Sequence, residues 1–197
     1  MFDSVSNTNW LRIALRCMAA LLSMTLANVA RADEFDLAQL MQLLAASPAT
    51  EVSFTEKKYS TLLSAPVVSS GKLSYRLPDV VEKNIESPRA ERYRFIGDEL
   101  VLVRNGSEQR IPLSRQPLLS AIAASLRGVL GGDLALLRNH YQLTLQGDAP
   151  SWRLDMLPID AEVGRYVQRI TASGHAGRIG QIEVRETSGD RSVLKIR

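Results

Sequence analysis

The sequence predicts a mainly β fold of the α+β class: a broad, strongly curved antiparallel sheet of about eleven strands with helices across its concave side. Three observations carry this. Apolar and polar residues alternate with period two through many short runs, as in "GKLSYRL", "ERYRFIG" and "WRLDML", the pattern of strands with one buried face. Turn signals a few residues long separate the runs, Asn105-Gly106 and Ser188-Gly189-Asp190 among them, and such tight connections join antiparallel neighbours. Helical periodicity is confined to the N-terminal region and the middle of the chain. A sheet this wide curls into a partial or closed barrel, and the amphipathic helices are what is left to cover its greasy face.

The chain opens with a secretory signal. Arg12 and Arg16 supply a positive region, "CMAALLSMTLANVA" an apolar one, and Ala30-Arg31-Ala32 a small-x-small cleavage site, so residues 1–32 are expected to be removed after Ala32. The alternative is an uncleaved anchor, but about a dozen apolar residues fall short of the ~20 that a spanning helix needs. Asp33 to Ser47 reads as a helix, with Leu37, Leu40, Met41 and Leu44 on one face, Asp33 as N-cap and Pro48 as terminator. Strands follow in "TEVSFTEKKYS", "GKLSYRL", "VVEKNIE", "ERYRFIG", "ELVLVR" and "EQRIPL". Residues 60–70, "STLLSAPVVSS", interrupt them as an apolar connection that either folds back over something or forms a wide hairpin end.

Pro117 opens a central helix whose stripe of Leu118, Leu119, Ile122 and Leu126 ends at Gly128. After Gly131-Gly132, Asp133 caps a second helix carrying Leu134, Leu136 and Leu137. Strand alternation resumes in "YQLTLQ" and "WRLDML". A brief helical turn after Pro158 precedes "RYVQRITAS", "RIGQIEVRE" and "SVLKIR". With no internal repeat and no low-complexity linker, residues 33–197 are expected to form one domain.

Composition narrows the function. Removing Arg12, Arg16, Arg31 and Asp3 with the signal from 24 basic and 21 acidic residues leaves a net charge of +1, which argues against a nucleic-acid or polyanionic partner. The only cysteine, Cys17, leaves with the signal, excluding a disulfide scaffold, a thiol nucleophile and a zinc–cysteine site. His140 and His175 lack metal-ligand spacing, no Gly-x-Ser-x-Gly elbow occurs, and Gly131-Gly132 lacks the lysine and longer glycine pattern of a phosphate cradle. The acidic residues read as solvated strand faces. No catalytic constellation emerges, and neither an enzyme nor a cofactor is expected.

What remains is the enclosed volume. Phe54, Leu73, Tyr75, Leu77, Tyr93, Phe95, Leu102, Leu143, Trp152, Leu154 and Met156 line the covered side, under a lid bearing Leu118, Ile122, Leu126, Leu134 and Leu137. Such faces form either an ordinary packed core or a cavity sized for an acyl chain.

The order of elements and several short motifs resemble the LolA lipoprotein-carrier family. Phe54-Thr55-Glu56 stands where that family commonly has Phe-Thr-Gln; Gly71-x-Leu73-x-x-x-x-Pro78, Pro88 and Gly97 follow in order, and the resemblance spans nearly the whole expected mature chain. It implies an unclosed β-barrel whose hydrophobic concave surface is covered by helices that open for acyl chains. It further implies a monomeric periplasmic carrier or chaperone for lipoprotein acyl chains or other lipidic molecules. Such a carrier would pass them toward the outer membrane between an inner-membrane donor and an outer-membrane acceptor. A lipid- or lipoprotein-sensing interaction domain with the same half-barrel is the alternative. Two departures stand out. The family's arginine before the proline, tied to holding the lid shut, is here Leu77, with Arg76 one residue earlier on the opposite strand face. The aromatic pair after the proline is replaced by Val81, Glu82 and Lys83.

Overall fold

The computed structural model describes residues 35–46, 51–76 and 79–197. The signal segment, Asp33, Pro48, Leu77 and Pro78 lie outside them. The described residues form one antiparallel sheet of eleven strands that does not close on itself. One arm consists of β1 (Glu51–Tyr59), β2 (Val67–Arg76), β3 (Val80–Ser87), β4 (Glu91–Ile96), β5 (Glu99–Arg104) and β6 (Ser107–Pro112). The other consists of β7 (Tyr141–Asp148), β8 (Ser151–Pro158), β9 (Val167–His175), β10 (Arg178–Glu186) and β11 (Arg191–Ile196). Each arm is a meander, and they join where β1 pairs with β11, giving the order β6-β5-β4-β3-β2-β1-β11-β10-β9-β8-β7.

The helices come from the segments that lack period two. Helix α1 (Leu37–Ala46) buries Leu40, Met41 and Leu44. It starts at the first residue of the hydrophobic pattern, later than a cap at Asp33 would place it. Asp36 Oδ1 accepts from the Gln39 backbone N–H while Gln39 Oε1 accepts from that of Asp36, a reciprocal cap that makes Asp36 the boundary. Helix α2 (Pro117–Gly131) runs a turn beyond Gly128. The glycine is not a terminator: a Cβ there would lie 2.4 Å from Leu137 Cδ2, so its bare backbone admits the next helix at close range. The true end is Gly132, left-handed at φ 65°, as C-caps commonly are. Helix α3 (Leu134–His140) starts on Asp133, whose Oδ1 accepts the Leu136 N–H at 2.8 Å. A single turn, α4 (Ala161–Gly164), precedes β9.

The period-two register places inner-face side chains in rows across the first arm. Leu73, Lys83, Tyr93 and Leu102 are successive cross-strand partners from β2 to β5, and Tyr75, Val81, Phe95 and Leu100 form the next row. Helix α2 packs on α1, α3, β2, β3 and β9. Its C-terminal half is buried almost all round through Ala123, Ala124, Leu126, Val129 and Leu130, as a helix sandwiched between layers must be. Its N-terminal half, Pro117 to Ser120, is only half-buried.

The apolar connection after β1 is a wide hairpin end, tied by the Thr61 N–H to Asp190 Oδ1 at 3.0 Å. It covers nothing: Leu62 is 91% exposed and Leu63, Val67 and Val68 are about half exposed. Among the described residues no helix is long and apolar enough to cross a membrane.

Candidate ligand cavity

The half-buried start of α2 roofs a cavity of about 750 Å³, well within the range of small-ligand sites. Its floor is the inner face of β1 to β4 together with β10 and β11. One end is apolar and closed. Leu73, Phe95, Leu126, Ile182 and Leu194 give the lining its apolar part, each nearly inaccessible to solvent, with Leu118, Leu119 and Ile122 on the helix side. The other end reaches exposed Lys58, Val67, Pro88 and Arg89. A ligand with an apolar tail and a polar end matches that gradient.

One polar cluster lies in the floor. Lys83 Nζ donates to Glu56 Oε2 at 2.6 Å, Ser192 Oγ to Glu56 Oε1 at 2.6 Å, and Ser69 Oγ to Glu56 Oε2 at 3.3 Å. Both charged side chains are largely buried, and the ammonium also lies 5.2 Å from the Phe54 ring centroid. Burial works against ionisation of Glu56. The Lys83 charge and the three hydrogen bonds outweigh it and hold the carboxyl below the usual carboxylate range. A folded pKa depressed in this way contributes stability above the unfolded carboxylate pKa, and that contribution is lost as pH falls through the folded value. Thermal melts followed by circular dichroism are therefore expected to show wild-type Tm falling below about pH 4, and falling less steeply for Glu56→Gln. Parallel slopes would contradict the assignment.

Nearer the rim, Tyr93 Oη donates to Glu91 Oε2 at 2.6 Å, and Arg104 bonds the same carboxylate. The Tyr93 hydrogen bond, with help from Arg104, keeps the Glu91 carboxyl below its ordinary range despite some burial.

A second polar arrangement fixes the roof. Arg127, on α2, donates from Nε to the Asp79 carbonyl at 2.8 Å and from Nη2 to the Gly97 carbonyl at 2.7 Å. Asp79 Oδ2 in turn accepts the Gly97 N–H at 3.1 Å. One guanidinium thus spans the β2–β3 and β4–β5 turns and clamps the helix to both. Arg76 has no place in this clamp. It sits on the outer face, 3.7 Å from Glu82, beside the Arg92 and Arg94 contacts to the same carboxylate.

The expected lining residues separate into three groups. Leu73, Tyr93 and Phe95 line the cavity, with Leu118, Ile122 and Leu126 from α2. Phe54, Tyr75, Trp152, Leu154, Met156 and Leu137 are fully buried in packed core instead, and Leu134 and Leu143 pack against that core. Leu102 is half-buried on β5, directly opposite Tyr93 but off the cavity lining, and Leu77 lies outside the described residues. The second arm contributes through β10 and β11 rather than β7 and β8. Reading charge as solvation overlooked Glu56 and Lys83. The signal was present: Glu56 is two residues beyond Phe54, and Lys83 stands between Val81 and Ile85 on one strand face. Among the described residues no group of three or more His, Cys, Asp or Glu converges as a metal site would require.

The family described as "Outer membrane lipoprotein carrier protein LolA-like" matches residues 29–195. No curated protein matches the chain in sequence. Among solved structures, the fold is similar to a LolA superfamily protein from Nitrosomonas europaea, at 12% identity and TM-score 0.43, covering 81% of this chain and 91% of that one. It is similar to a DUF1329 family protein from Desulfovibrio piger, at 12% identity and TM-score 0.49, covering 82% and 89%. The lipoprotein LppX from Mycobacterium tuberculosis is a further neighbour, at 10% identity and TM-score 0.42, covering 82% and 93%.

Proposed function

The chain belongs to the outer membrane lipoprotein carrier protein LolA-like family, and from that premise we propose that it is a periplasmic carrier. In this reading it is exported by its first 32 residues and binds acyl chains of lipoproteins or other lipidic molecules for transfer toward the outer membrane. The observation that carries the proposal is the cavity of about 750 Å³ beneath a clamped amphipathic helix, apolar and closed at one end and polar at the other. An acyl chain entering it exchanges water for Leu73, Phe95, Ile122 and Leu126, gaining about 0.8 kcal/mol per buried methylene. A dozen methylenes give on the order of 10 kcal/mol before the costs of ordering the chain and displacing α2. That range suits reversible loading, and delivery requires only that the helix reopen.

Native mass spectrometry of the mature protein purified from its own host is expected to show a bound lipidic mass. The variant Ile122→Arg should retain the circular dichroism of the wild type and lose at least about tenfold in affinity for an acyl probe, since its charge would project into the apolar end. A protein that is consistently empty and fails to bind the probe would overturn the reading. A single stoichiometric membrane partner, bound identically with and without lipid, would replace the carrier with an interaction domain.

A further inference from the structure

The pairing in the cavity floor says which acyl compounds fit. We propose that the cavity selects acyl chains bearing an uncharged ester or amide and discriminates against free fatty-acid anions, with Lys83 donating to the ester or amide carbonyl. The inference rests on the acyl-carrier reading and adds the chemistry of the polar end.

The charges decide it. The ammonium of Lys83 is the cation set into the floor, directly across the strands from Leu73 and Tyr93. Glu56 neutralises it at 2.6 Å, and Ser69 and Ser192 also donate to that carboxylate. A fatty-acid carboxylate arriving there would meet a cation already paired, with a second carboxylate just behind it. It would surrender its hydration without gaining a net charge partner. A neutral carbonyl faces no such penalty. One of the three ammonium hydrogens is used by Glu56, so the same nitrogen retains donor capacity for it. The apolar lining begins on the same row of the sheet, at Leu73, and continues on the next, at Phe95, so a carbonyl at Lys83 sends its chain under Ile122 and Leu126.

The outer rim does not reverse this balance. Exposed Lys58 and Arg89 share the opening with half-buried Glu91 and Glu186, so these four groups add no net charge there, and the exposed ones are screened by water and salt.

The test compares ligands with the same twelve-carbon tail for their ability to displace the apolar dye phenylnaphthylamine from delipidated protein. Monolaurin is neutral, and laurate is used at alkaline pH, where it is ionised. Monolaurin is expected to displace the dye at a concentration about tenfold lower or better. Glu56→Gln keeps a carbonyl for Lys83 and removes the opposing charge. It should tighten laurate about tenfold and leave monolaurin within about threefold. Equal potency of the two ligands on the wild type overturns the proposal, without any variant having to fold. So does an unchanged ratio in a folded Glu56→Gln protein. Displacement by neither ligand overturns the acyl site itself, and this inference with it. A synthetic diacylglyceryl lipopeptide carries the same ester as a free glycerolipid. Preference for the lipopeptide assigns a lipoprotein source and preference for monolaurin a free lipid; in both cases the ester assignment stands as long as laurate trails.

Discussion

Replacing Leu137 with alanine is expected to destabilise the protein by about 3 kcal/mol, a large part of the stability of a domain this size. Leu137 is completely buried, and its methyl groups occupy the space that Gly128 leaves open on α2. Truncation removes the transfer energy of those groups and leaves a cavity. The cavity collapses poorly, because backbone rather than a flexible side chain forms its far wall. Gly128→Ala attacks the same contact from the other side, pushing a Cβ to 2.4 Å from a leucine carbon, and should cost about 1–3 kcal/mol through overpacking. The two changes are expected to be non-additive, the alanine methyl refilling part of the void that the truncated leucine leaves. Denaturant unfolding of both single variants and the double variant measures this. A loss below about 1 kcal/mol for Leu137→Ala would mean that α3 is not anchored as the geometry indicates.

The second large effect is kinetic. Arg127→Ala is expected to accelerate release of a bound fluorescent acyl ester by about tenfold or more, with a stability loss of only about 1–2 kcal/mol. Arg127 makes two charge-assisted hydrogen bonds to carbonyls on separate turns, so its loss removes the tie between α2 and both turns while buried Ala123, Ala124, Leu126, Val129 and Leu130 keep the helix on the core. Lysine should not rescue, since a single ammonium on a flexible stem does not reproduce the guanidinium fork that reaches both turns. Stopped-flow release and amide hydrogen exchange along residues 117–122 provide the readouts. If both match the wild type, Arg127 is a surface arginine with a fixed address and nothing more.

Period two in the sequence is enough to place the strands, because a half-covered sheet imposes it on every strand that contributes a face. It cannot tell which part of that face lies under a helix that seals and which under a helix that spans. Trp152, Leu154 and Met156 alternate as cleanly as Leu73, Tyr75 and Leu77. Yet Trp152, Leu154 and Met156 sit in solid core, while Leu73 opens on the cavity. The difference arises from the covering element: α4 packs on β8, whereas the half-buried start of α2 roofs Leu73. The position of Gly128 was misleading for a related reason. Glycine ends helices often, but here its value is the absent Cβ against Leu137, a contact between segments that no local pattern encodes. Arg127 was silent in the sequence because its partners are carbonyls, and every residue has one.

The pairing of β1 with β11 has a consequence for how the molecule comes into being. The last of the described strands in chain order lies at the middle of the sheet, not at an edge. Without that pairing β1 has one unpaired flank and the sheet is two separate meanders. Contacts between residues 54–59 and 191–196 carry the long sequence separations that slow folding. Leu73 and Lys83 on one arm and Ile182 and Leu194 on the other thus become parts of one cavity floor only once β11 has paired with β1.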